Sequence, residues 1–121
     1  MDVRTVSALL SGFKPYGAMK VVHSALDSLN RRRAPSQELL AVVDGPEDVD
    51  RVAQAASSLL THIEREEGRP IADIPTSAIR HYTEVIVEAA NDIVRSGLPP
   101  MDASRGRQLL ADLDSGKFLS R

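Results

Sequence analysis

Cysteine and tryptophan are absent from this chain of 121 residues, and the aromatic side chains that remain are two Tyr and two Phe. Without cysteine there are no disulfides, no thiolate metal centres and no cysteine nucleophile, a composition that fits a reducing compartment. With so few rings, platforms on which exposed bases could stack are scarce. Charge of one sign is missing too. The 15 Lys and Arg against 17 Asp and Glu leave a net charge of -2, so no overall positive field draws the chain onto nucleic acid or anionic lipid. No apolar run approaches the roughly 18 residues of a membrane span, and the opening "MDVRTVSALLSGF" is neither basic enough nor apolar enough for a secretion signal. A cytoplasmic location is expected. A glycine-rich phosphate loop, a dinucleotide fingerprint and a calcium loop are lacking as well, and no cofactor is expected.

What is present is a helical period. Strand alternation, internal repeats and low-complexity tracts are not found, and 42% of the residues are apolar, enough for one core in a single helical domain spanning 1–121. Proline and glycine divide the chain into segments. From Val3 to Leu10 the apolar residues recur at Val3, Val6, Leu9 and Leu10, with Gly12 placed to stop a short helix. In "YGAMKVVHSALDSLNRRR" Ala18, Val21, Val22, Ala25, Leu26 and Leu29 share one side, and Lys20, His23, Ser24, Asp27 and Arg31 are expected opposite, facing water. "QELLAVV" is a short apolar element opened by Pro35 and Ser36. Asp44 is suited to cap a helix running from Pro46 to Glu67, with Glu47 and Asp48 complementing its positive end. Its inward face is Val49, Val52, Ala53, Ala56, Leu59, Leu60 and Ile63; Asp50, Gln54, Ser57, Thr61 and Arg65 lie on the other. "GRP" ends it and "IADIPT" reads as an extended connector. Pro75 with Thr76 or Ser77 then opens a helix to about Ser96, closed by Gly97 and "PP". The predicted fold is all-α, a compact irregular or orthogonal bundle of four main helices with one or two short additional helices.

The segment "HYTEVIVEAAND" concentrates one imidazole and three carboxylates. At about 100° per residue, Asp92 lies roughly +20°, Glu88 about -20° and Glu84 about -60° from His81, so the four share one narrow strip. Ile79, Tyr82, Val85, Ile86, Ala89, Ala90 and Ile93 centre roughly 140° away, widened by Val87 and Val94, a breadth that suits contact with neighbours on two sides. The acidic strip, bordered by Arg80, is therefore expected in water. Glu84, Glu88 and Asp92 follow one another at spacings of four, which costs a few tenths of a kcal/mol per like-charge pair, offset in part by Arg80 beside Glu84. Such a ridge suits a basic partner surface. With "EREE" it loosely resembles the carboxylate-bearing helix pairs with which all-helical nucleotide pyrophosphatases hold magnesium. The spacings of those enzymes are not reproduced, and no phosphate-binding lysine motif accompanies them. A metal-dependent hydrolase on this helix, completed by His62, Glu64 and Glu66, is the enzymatic alternative.

Arg31, Arg32 and Arg33 form the densest charge cluster. At a helix C-terminus they complement the dipole, and they are equally suited to touch phosphate or an acidic protein. A nucleic-acid-binding protein using this cluster is the second alternative; direct DNA readout is not expected, since the following element offers Gln37 and Glu38 and almost no base-reading side chains. After "GLPP", Leu109, Leu110, Leu113, Phe118 and Leu119 form an apolar set on a segment 98–121 that can dock or assemble. The small residues in "VAQAASS" and "VEAAND" permit close helix approach, within one chain or between two. Together these features predict a non-catalytic interaction, adaptor or regulatory module that self-associates or binds a protein partner, with no metal and no membrane contact. Its expected contact residues are Arg31, Arg32, Arg33, Arg80, Glu84, Glu88, Asp92, Leu109, Leu110, Leu113 and Phe118.

Overall fold

The computed structural model describes residues 1–10, 13, 15–44 and 48–97. Helices α1 (Val3–Leu10), α2 (Pro15–Arg31), α3 (Gln37–Asp44), α4 (Val49–Glu67) and α5 (Thr76–Gly97) follow in order, with a 3-10 turn at Ile71–Asp73 between the last two. Among the described residues there is no strand, and the helices pack together as an all-α bundle. None of these helices is long and apolar enough to cross a membrane.

Helix α2 is the centre of the bundle. It packs against α4 and α5 and touches α3, while α1 lies on α5 and reaches α4. The predicted inward side of α2, Ala18, Val21, Val22, Ala25, Leu26 and Leu29, is buried throughout. The predicted outward side is only partly outward, because Lys20 and Ser24 have no exposed surface and Ser28 is buried with them. That corrects the expectation of a two-faced helix. Among its described side chains, a helix ringed by α3, α4 and α5 keeps only the narrow strip of His23, Asp27, Asn30 and Arg31 near water. The buried Ser24 hydroxyl has no hydrogen-bond partner among the described residues, an arrangement that costs about 1–3 kcal/mol.

Helix α4 starts later than its sequence suggests. Its cap is Asp48, whose carboxylate accepts from the Arg51 N–H at 3.2 Å. Asp44 cannot take that role, since it is the last residue of α3. The inward face is as expected, with Val52, Ala56, Leu59, Leu60 and Ile63 buried and Val49 and Ala53 packed at its edge. Gly68 ends the helix in the left-handed conformation, φ 71°, its N–H donating to the Glu64 carbonyl at 2.8 Å.

The connector "IADIPT" is not extended. Ile71 and Ile74 are three apart and both buried, which an extended chain forbids by pointing them to opposite sides. A 3-10 turn eclipses positions i and i+3 and so turns both into the core. Helix α5 then buries Ile79, Tyr82, Ile86, Ala89 and Ala90 against α1 and α2, the two-sided contact its broad stripe implies. Thr83 joins that face, its hydroxyl donating to the Ile79 carbonyl at 2.8 Å. The small residues Ala56, Ala89 and Ala90 are wholly buried, so their close packing is used inside the chain.

Candidate functional site

Arg80, His81, Glu84, Glu88 and Asp92 are all exposed along the outer side of α5, while Tyr82, Ile86, Ala89 and Ala90 hold its other side in the core. The strip is thus one rigid, wet ridge. Asp92 accepts from Arg95 Nη2 at 2.6 Å, and the His81 ring meets Tyr82 edge-on with centroids 5.3 Å apart. Arg80 does not form an ion pair with Glu84, and among the described residues neither Glu84 nor Glu88 has a cationic partner. Like charges four apart on a helix therefore remain uncompensated, at a cost of a few tenths of a kcal/mol.

The carboxylates on α4 that a metal site would need are committed elsewhere. Glu64 Oε2 accepts from the Ile71 N–H at 3.0 Å and so pins the 3-10 turn to α4. Glu66 pairs with the Met1 amino group. Glu67 accepts the Tyr82 hydroxyl at 2.8 Å on one oxygen and Arg69 Nη2 at 3.2 Å on the other, tying α5 to the end of α4. Burial and the facing Glu67 carboxylate push the Tyr82 pKa up to about 12. Among the described residues no three His, Cys, Asp or Glu side chains converge on a point that a metal ion could occupy.

The three arginines separate. Arg31 pairs with Asp27 at 2.5 Å, the neighbour four residues back that the sequence offers. Arg32 sits in the left-handed region at φ 58°, where glycine usually ends a helix. The Arg32 N–H donates to the Leu29 carbonyl at 3.2 Å and the Arg33 N–H to the Ser28 carbonyl at 3.0 Å, which is the paired closure of a Schellman helix end. The guanidinium of Arg32 crosses to the connector, donating to the Ile74 carbonyl, to the Ala72 carbonyl at 3.5 Å and to Thr76 Oγ1 at 3.3 Å. Arg32 is a fastening between α2 and the start of α5. Of the three, Arg33 alone is exposed with no ionic partner among the described residues.

Arg33 stands over a groove of about 340 Å³ that the sequence did not reveal. The turn Arg32–Pro35 forms one wall, Ser57, Leu60, Thr61 and Glu64 of α4 the floor, and Pro70–Ala72 the other wall. Beyond Ser57 a more open depression continues along α4 past Gln54 to Asp50, where Gln37 Nε2 donates to Asp50 Oδ1 at 2.9 Å. The floor takes Ser57 and Thr61 from the polar face of α4 read from the period and Leu60 from its inward face, but the walls come from two segments, Arg32–Pro35 and Pro70–Ala72, that lie more than 30 residues apart in the sequence. No single stretch of sequence signals it. Leu109, Leu110, Leu113 and Phe118, the other expected contact residues, lie outside the described residues.

Compared with models of protein families, with curated proteins and with solved structures, the chain matches none. An all-α bundle with a charged ridge and a groove defines an architecture, and an architecture alone does not name a function.

Proposed function

We propose that this chain is a non-catalytic helical interaction, adaptor or regulatory module, cytoplasmic, that self-associates or binds a protein partner. The observation that carries this reading is the pair Glu84 and Glu88. They are exposed, four apart and uncompensated on a helix whose opposite side is fixed by Tyr82, Ile86, Ala89 and Ala90. A surface that tolerates like-charge repulsion with no gain in its own fold is suited to meet a complementary, basic surface. The rigid backing adds to this, because little ordering entropy remains to be lost on contact.

The experiment is the double reversal Glu84→Lys with Glu88→Lys, followed by affinity capture and light scattering. The expected outcome is loss of a basic partner, or of the assembled state, with unfolding free energy within about 0.5 kcal/mol of the parent, as for other exposed substitutions. The reading fails if this variant, and a chain ending at Pro100, retain every partner and the same solution mass. Melting in millimolar magnesium or manganese separates it from the enzymatic alternative. An interaction module melts at the same temperature with and without the ion, whereas a site that binds the ion only when folded raises it.

A further inference from the structure

The groove beneath Arg33 does not belong to the acidic ridge, and the free charge at its rim has the opposite sign. Its walls are held before anything binds. The Arg32 guanidinium fastens the α2 end to the carbonyls of Ala72 and Ile74, and the Glu64 carboxylate fastens the Ile71 N–H to α4. Leu60 and Ile71, 5% and 8% exposed, give the floor and one wall an apolar lining. One charge at the rim has no ionic counterpart among the described residues, the exposed guanidinium of Arg33. The carboxylate in the described lining, Glu64, accepts from a backbone N–H through Oε2. About 340 Å³ lies at the low end of the range of roughly 300–1,000 Å³ typical of ligand pockets, room for a residue or two of an extended chain.

We infer that this groove is a docking site for an extended acidic peptide segment of a partner protein. An aliphatic side chain rests on Leu60 and Ile71 while a neighbouring Asp or Glu of the partner pairs with Arg33. Charge complementarity selects this occupant. A basic peptide would meet Arg33 with like charge. Among the described residues of the groove a nucleic-acid strand would find one uncommitted cation and no aromatic surface on which to stack. The inference shares with the proposed function the idea of an interaction module, but it uses a different surface, and the two stand or fall separately.

Selection of peptides from a random hexapeptide display library on the full chain, followed by fluorescence anisotropy of the enriched sequences, tests it. The enriched peptides are expected to carry Asp or Glu next to Leu, Ile, Val or Pro. Arg33→Gln should weaken them about fivefold, the upper range for an exposed ion pair, and Arg33→Glu further. Thr61→Trp, at an exposed position on the groove floor, should abolish binding by filling the space while leaving the circular dichroism melt unchanged. Peptides enriched for Lys or Arg that respond to the Glu84 and Glu88 reversal, and not to Arg33→Glu or Thr61→Trp, overturn the inference and leave the ridge reading standing. A library that yields no peptide sensitive to both groove variants overturns it also.

Discussion

The guanidinium of Arg32 donates to the backbone carbonyl of Ile74, 42 residues further along the chain, and so joins the end of the central helix to the entry of the last one. The residue that reaches across does so from a left-handed backbone, φ 58°, which a side chain with a Cβ adopts at a cost of about 1–2 kcal/mol. Backbone strain and side-chain fastening therefore oppose each other at one position.

Substitutions at Arg32 separate the two. Arg32→Ala keeps the strained backbone and loses the charged hydrogen bonds, and a loss of about 2–3 kcal/mol in urea unfolding is expected. Arg32→Gly loses the same bonds but relaxes the backbone, so it should lie about 1 kcal/mol above the alanine variant. Equal stabilities for the two would show that the left-handed conformation carries no cost here.

Gly68 is the control for that argument, because it holds the same conformation, φ 71°, with nothing within 4 Å of where a Cβ would stand. Gly68→Ala should cost about 1 kcal/mol through backbone strain alone, measured by thermal or urea unfolding. A loss well beyond that would point to a steric contact that the open surroundings do not contain.

Tyr82 sets an alkaline limit. Its pKa rises from 10.0 in the unfolded chain to about 12 in the fold, through burial and the Glu67 carboxylate. The folded state therefore favours the protonated phenol. This contribution is complete below pH 10 and is lost as the pH climbs from about 10 toward 12. Unfolding curves across that window should show the decline in the parent chain and a flatter profile in Tyr82→Phe. Identical slopes would mean that the Tyr82 environment does not govern alkaline stability.

The segment after Pro100 is expected to control assembly. Light scattering of the full chain should give a mass above that of a monomer, and a chain ending at Pro100 the monomer mass. If both are monomers, self-association through Leu109, Leu110, Leu113 and Phe118 is ruled out.

Local chemistry made much of this molecule legible in its sequence. The helical period gave an all-α bundle of four main helices with one or two short ones, and the stripe of Val52, Ala56, Leu59, Leu60 and Ile63 marked a buried face, because a 3.6-residue repeat leaves few other ways to remove those side chains from water. Gly68 and the exposed strip on α5 were equally readable, since both depend on neighbours within a few residues. Tertiary packing decided the rest. Lys20 and Ser24 are buried because α2 is ringed on several sides, and Ile71 and Ile74 form a 3-10 turn because the core takes both. The Arg32 fastening and the groove beside it were decided in the same way: partners some 40 residues apart meet only when helices cross, and helical periodicity does not encode which helices cross.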